Sequence, residues 1–225
     1  MPGWLTGAAR ACAIGAMTRQ ITVYIDYKSP YAFLAKDLVY ELAEAEGAAL
    51  DWLPYTLNIP DYLGSATLGP QGEVEEEHRT PHQWRRVRYS YMDARRYATL
   101  RGLVIRGPRK IWDSACANTG MLWVKRQGEA PLRRYHDLVF ERFWKRELDI
   151  EDPAVIEAVA REAGADVAGL RDWLAGDGRA EHDRIRVEAE AQGVFGVPTF
   201  VLDGELFWGR EHLELIRMRL HERKG

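Results

Sequence analysis

A serine and a proline, Ser29 and Pro30, stand where an alternating apolar run, residues 21–27 of ITVYIDYKSPYAFLA, gives way to a helical pattern. Serine is a favoured helix N-cap, and proline suits the first helical position because its missing N–H has no partner there. Taken alone, the pair is a clean helix start. Its location adds chemistry: the N-terminus of a helix that follows a strand stabilises anions through free N–H groups and the helix dipole. A thiol placed there has its pKa lowered toward the nucleophilic thiolate, with the Ser29 hydroxyl able to donate a hydrogen bond to the sulfur. A second chemical segment is GVFGVPTF, where Val197-Pro198 enters a strand after two glycines. A proline at such an entry is either an edge-strand device or a cis peptide. His78 and His82 have i,i+4 spacing, but Pro81 interrupts a shared helix and no further ligand pair follows, so no metal site is expected. There is no P-loop, no GxGxxG after a strand and no nucleophile elbow.

The elements that must position these residues read as strand, helix, strand, a long helical middle, then a hairpin and a helix. Residues 21–27 suit a strand. From Tyr31 to Glu46, Phe33, Leu34, Leu38, Leu42 and Ala45 recur at helical spacing, and Gly47 stops the helix. Residues 49–56 form a second strand, expected to pair in parallel with the first through a right-handed crossover. From Ile59 to Gln192 no strand run is evident, and LGSATLGPQG and IRGPRK read as loops. Helices are expected over 80–102, 111–127, 131–146, 153–163, 167–175 and 179–192. The tail returns to two apolar runs joined by Asp203-Gly204, a strong hairpin signal because the tight turn needs positive φ at both residues. Residues 211–222 close the chain as an amphipathic helix.

Composition sets the partners. With 225 residues, 46% of them hydrophobic, the chain buries a sizeable core as one elaborated domain or two small ones. A net charge of −3 gives no general field for nucleic acid or anionic lipid, which points to a small-molecule partner, with no nucleic acid and no membrane. No apolar run approaches the ~20 residues of a bilayer span. Residues 1–16, MPGWLTGAARACAIGA, have too short an apolar stretch for a secretion signal and read as a disordered extension reaching to about residue 18, with Met17 a plausible start. Cys12 and Cys116, isolated and without CxxC spacing, build neither a disulfide framework nor a zinc site, which fits a reducing cytoplasm.

YIDYKSPYAFLA together with GVFGVPTFVLDGELFWGREHLELI resembles the 2-hydroxychromene-2-carboxylate isomerase family, relatives of kappa-class glutathione transferases and of DsbA-type disulfide oxidoreductases. RRVRYSYMDARRYATLRGL is similar to that family's basic-aromatic helix, so the resemblance spans about residues 20–220. It implies an α/β thioredoxin-like fold, with β-α-β (19–60) and β-β-α (193–225) halves around an all-α insertion (61–192). It also implies glutathione as cofactor. Ser29 matches the serine that contacts the glutathione sulfur; Ala32 stands where a CxxC motif has its second thiol, which leaves no machinery for disulfide exchange.

The resemblance further makes Val197, before a cis Pro198, the partner of the cysteinyl part of glutathione. Arg210 and Glu211 stand at the position of the γ-glutamyl end, where relatives often have Ser-Asp or Asn-Asp, and Asn58 at a polar contact. Toward the substrate it implies Tyr31, Tyr89, Arg86 for a carboxylate, and a polar corner of Asp113, Ser114 and Asn118. Each residue also has an ordinary role: Asn58 in a turn before Ile59-Pro60, Arg86 on a solvated face, Asp113 as a helix cap. The implied reaction is cis–trans isomerisation of a conjugated substrate from aromatic catabolism by reversible thiolate addition. A kappa-like glutathione transferase, a thiol oxidoreductase and a non-catalytic thioredoxin-fold binding module stay open beside it, as does a homodimer.

Overall fold

The computed structural model describes residues 18–222. The expected extension therefore lies, but for Thr18, outside the described residues, as does Cys12. Strand β1 (Gln20–Ile25) is followed by α1 (Pro30–Glu46) and β2 (Ala49–Pro54), and β2 pairs in parallel with β1 from Gln20↔Ala49 to Ile25↔Pro54. Both strands stop two residues short of the expected ends, because Asp26 and Tyr27 leave the ladder to form the turn before α1. Helix α1 ends as its sequence directs: Gly47 takes the left-handed conformation at φ 64°, and its N–H returns to the Ala43 carbonyl.

The chain's other end completes the same sheet. β5 (Thr199–Leu202) runs antiparallel to β1, and β6 (Glu205–Trp208) pairs with β5, giving the order β2-β1-β5-β6. Asp203 and Gly204 between them have φ of 50° and 82°, the two positive values that the Asp-Gly turn requires. The last residues form a 3-10 turn (Arg210–His212) and then α9 (Leu213–Glu222), so the expected closing helix starts two residues late.

Between the halves lie α2 (Ile59–Leu63), α3 (Pro81–Leu100), α4 (Ala115–Lys125), α5 (Glu129–Trp144), α6 (Pro153–Glu162), α7 (Leu170–Ala175) and α8 (Asp177–Ala191). α3 starts with a reciprocal capping box between Thr80 and Gln83. The all-helical reading of this stretch is corrected at one place: LGSATLGPQG is no loop, but holds β3 (Ser65–Leu68), which pairs antiparallel with β4 (Val74–His78). Both strands lie at the surface and β4 is exposed throughout, so neither shows the apolar alternation by which a half-buried strand is read.

α4 and α8 pack against β2, while α1 packs against α3, α5 and α9. The centre is aromatic. Phe33 of α1 stacks on Phe140 of α5, Tyr27 packs on Phe140 and Tyr135, and Trp52 of β2 packs on Tyr40 and His136. All of these side chains are buried. The start of α1 is thereby locked between the sheet and the helical layer.

Candidate functional site: a capped helix start facing a cis-proline loop

Ser29 caps α1 with extended dihedrals, φ −90° and ψ 117°, and its Oγ accepts the Ala32 N–H at 3.2 Å. The same hydroxyl points at the Val197 carbonyl, 3.5 Å away across 168 residues of chain. The Val197-Pro198 peptide is cis. Ser29 is only 4% exposed and Val197 7%, so the hydroxyl works in a largely desolvated corner where its hydrogen bonds are stronger than in water. The N–H of Tyr31, at the second helical position, and the N–H of Val197 donate to no acceptor among the described residues. Unpaired N–H groups beside a helix N-terminus are the feature that an anion or an extended peptide-like ligand satisfies.

The turn leading into Ser29 is held from behind. Ser29 N–H donates to the Asp26 carbonyl at 2.9 Å. The Asp26 carboxylate, fully buried, accepts the Leu57 N–H at 2.8 Å, the Lys28 N–H at 3.2 Å and Asn118 Nδ2 at 3.2 Å, and lies 3.6 Å from Lys28 Nζ. Three segments, the loops after β1 and β2 and the first turns of α4, converge on one carboxylate. A buried charge is tolerated only with this density of partners.

The other expected site residues fall into three groups. Gly209 N–H donates to the Pro198 carbonyl at 2.9 Å, which brings Arg210 and Glu211 beside the cis-proline loop. Arg210 lies over the Tyr97 ring at 3.5 Å, and the Glu211 carboxylate folds back against Gly209, where a Cβ would meet its oxygens at 2.5 Å. Both side chains are thus turned to internal contacts. Tyr31, on the first turn of α1, donates its hydroxyl toward Asp93 at 3.2 Å and the Ser90 carbonyl at 3.4 Å, tying α1 to α3. Burial, then the Asp93 charge, pushes the Tyr31 phenol up to about 12.

Arg86 and Tyr89 lie on the exposed face of α3; Tyr89 is 57% exposed and Arg86 has no ion pair among the described residues. Asn58 is exposed and donates Nδ2 to Asp61 at 2.5 Å, the turn geometry of its ordinary role. Asp113 is exposed and accepts the Ala115 N–H at 2.9 Å, so it caps the first turn of α4 from one residue before the N-cap position. Asp113 lines a cavity of about 420 Å³ together with Cys116, Thr119, Arg171 and Arg179, and none of the Ser29 corner residues line it. Cys116 is no competing nucleophile: burial, then Asp152, pushes its thiol up to about 11.

Of the polar residues behind Ser29, Ser114 and Asn118 carried a signal in the sequence, through the polar corner that the resemblance implies. Asp26, Lys28, Thr56 and His182 carried none beyond Asp26 lying three residues before Ser29 at the end of an apolar strand.

A strand-helix-strand unit, a helical layer, a β-hairpin entered by a cis proline and a helix N-terminus facing it define a thioredoxin-like architecture. The model of the DsbA-like thioredoxin domain matches residues 20–221, and the chain belongs to that family. Among its relatives, the chain is 24% identical over 207 residues to a 2-hydroxychromene-2-carboxylate isomerase of Sphingobium xenophagum, covering 91% of this chain and 99% of the relative. A solved 2-hydroxychromene-2-carboxylate isomerase superposes with a TM-score of 0.69 at 22% identity, covering 90% of this chain and 95% of the other. The cytosolic disulfide reductase DsbM of Pseudomonas aeruginosa, solved with GSH, superposes with a TM-score of 0.57 at 15% identity, covering 91% and 98%. The family resemblance and the thioredoxin-like fold read from the two end motifs are borne out. No described helix is long and apolar enough to cross a membrane.

Proposed function

We propose that the protein is a glutathione-dependent isomerase of the 2-hydroxychromene-2-carboxylate type, acting on a conjugated aromatic-catabolic substrate. The observation that carries this reading is the Ser29 hydroxyl, set at the first turn of α1 and aimed at Val197 before a cis proline, with an N–H in each of the two facing segments that has no acceptor among the described residues. The corner fits a thiol tripeptide: a hydroxyl donor for sulfur, a helix N-terminus for its charge, and the Val197 backbone for an extended strand of ligand. The relatives named as isomerases and the neighbour solved with GSH support the same choice.

When bound, glutathione would supply a thiolate for reversible addition to a conjugated double bond, the chemistry that frees that bond to rotate. The chain's own residues do the rest. Ser29 donates its hydrogen to the sulfur, exchanging the long contact to Val197 for a charge-assisted one. The N-terminal turn of α1 stabilises the negative charge on sulfur. Val197 orients the cysteinyl backbone; Arg210 and Glu211, released from Tyr97 and Gly209, hold the γ-glutamyl carboxylate and amine, and Asn58 adds a polar contact. Tyr31 borders the corner, Arg86 and Tyr89 present a cation and a ring to a carboxylated aromatic substrate, and Asp113 acts as the cap of α4. Ala32, where a second thiol would stand, removes disulfide exchange.

The test is turnover of 2-hydroxychromene-2-carboxylate with and without reduced glutathione. Isomerisation only in the presence of glutathione, reduced on the order of 10²-fold by Ser29→Ala through loss of a donor to developing charge, supports the reading. Unchanged turnover without glutathione contradicts it, and release of a thioether conjugate makes the protein a kappa-like transferase instead.

A further inference from the structure

The buried carboxylate behind Ser29 is one end of a longer hydrogen-bonded chain whose direction is fixed. Asn118 Oδ1 accepts the Tyr27 N–H at 3.3 Å, so the amide nitrogen faces the opposite way, toward Asp26 at 3.2 Å, Thr56 Oγ1 at 2.6 Å and Ser114 Oγ at 3.3 Å. Thr56 therefore receives a hydrogen from Asn118, and its own hydrogen is left for His182 Nε2, 2.8 Å away. That assignment requires a lone pair on Nε2 and the proton on Nδ1. Nδ1 has the matching acceptor: Asp183 Oδ1 at 2.9 Å, whose carboxylate is gripped by Arg179 Nε at 3.0 and 3.1 Å. His182 is 2% exposed, and burial lowers its pKa against the opposing pull of Asp183, so the ring is neutral at neutral pH.

Each link forbids its reversal. A proton on Nε2 would face the Thr56 oxygen while Asn118 also points a hydrogen at it, leaving the Thr56 hydroxyl hydrogen without an acceptor in the chain. Such an orphaned donor in a part-buried setting is costly, and that cost favours one tautomer. The chain runs through α8, the loop after β2, α4 and the loop after β1, and it ends on the turn that presents Ser29.

We propose that His182 is a positioning residue for the Ser29 corner: its Nδ1–H tautomer, set by Asp183, orients Thr56 and Asn118 so that Asp26 holds the turn from Asp26 to Ser29 in one conformation. His182 makes no hydrogen bond to Ser29 or Val197 among the described residues and acts through the carboxylate it helps fix. The value of this device for thiol chemistry rests on the glutathione reading; the ordering of the turn does not.

The test compares the wild type with His182→Leu, His182→Gln and Thr56→Val by amide hydrogen exchange and ring ¹⁵N shifts, without glutathione. The wild-type ring is expected to show a protonated Nδ1 and an unprotonated Nε2. Exchange at the Tyr27, Lys28, Ser29 and Leu57 amides is expected to accelerate at least tenfold in His182→Leu and Thr56→Val and to return near wild type in His182→Gln, whose side-chain carbonyl can accept from Thr56. The Leu42 amide, in the C-terminal half of α1, is expected to change less than twofold. A protonated Nε2 in the wild type, equal acceleration at Leu42, or no acceleration in Thr56→Val overturns the proposal. Should His182→Leu not fold, Thr56→Val and the wild-type ring shifts still decide it. A wild type that orders the turn in this way but binds no glutathione sinks the functional reading and leaves this inference standing.

Discussion

Two polar regions flank the α1–α3 side of the molecule, and they differ in almost every physical respect. The outer face of α3 is conspicuous in sequence, with Arg85, Arg86, Arg88, Tyr89, Arg95 and Arg96 on one helix, and in the fold these residues are exposed. The cluster behind Ser29 is inconspicuous, one residue here and there from four segments, yet Asp26, Ser114, Asn118 and His182 are all buried and interlocked. A charge in water is cheap to keep and cheap to lose, whereas one in the interior is there only because its partners are. The density of polar residues along the chain thus says little about which of them constrain the structure.

The largest contrast is expected between Asp26→Leu and Arg86→Ala. Removing the Asp26 carboxylate strands the Leu57 and Lys28 N–H groups and leaves the Lys28 ammonium, whose side chain is 7% exposed, without its partner. A loss on the order of 3 kcal/mol or more follows from broken buried charge contacts, read by urea denaturation. Arg86→Ala is expected to leave the urea midpoint where it is, while raising KM for a carboxylated substrate if its cation meets the carboxylate; a matched fall in midpoint for both variants would erase the distinction.

Acid sharpens the contrast further. His182 and His136 are both held below the ordinary imidazole range, His136 by burial and then by Lys36, with its Nδ1 at 2.9 Å from the Tyr27 hydroxyl. The unfolded chain binds protons at these sites from about pH 6.5 downward while the folded chain resists. Stability is therefore full above that range and falls as pH drops through it. Unfolding free energies at pH 7.5 and 5.5 check this, and His182→Gln is expected to flatten the slope; stability that rises on acidification would contradict the assignment of both rings as neutral. A smaller loss than at Asp26 is expected for Ser29→Ala, about 1 kcal/mol from loss of the cap, seen as a modest shift in Tm with the fold intact.

How much of this was legible follows the same divide. Local chemistry could be read: the Ser29-Pro30 start, the Gly47 stop and the Asp203-Gly204 hairpin each depend on residues within a turn of one another. Val197-Pro198 opposite Ser29 was legible only through family resemblance, since nothing local tells which X-Pro bond is cis or what it faces. The β3–β4 hairpin was missed because strands at the surface leave no alternating pattern. Thr56 and His182 had no signal at all: their meaning lies in a 2.8 Å contact between residues 126 apart. Arg210 and Asn58, which the resemblance sets at glutathione positions, rest in the structure against a tyrosine face and a neighbouring carboxylate, contacts that no local pattern announces.

The most direct measurement is glutathione binding by calorimetry to the wild type and to Ser29→Ala, paired with ultraviolet difference absorption of the bound thiolate near neutral pH. The account predicts binding with a thiolate signal in the wild type and a weaker signal, with weaker binding, in Ser29→Ala. Absence of binding by either protein, or a thiolate signal indifferent to Ser29, would contradict it and reduce the corner to a well-made helix start.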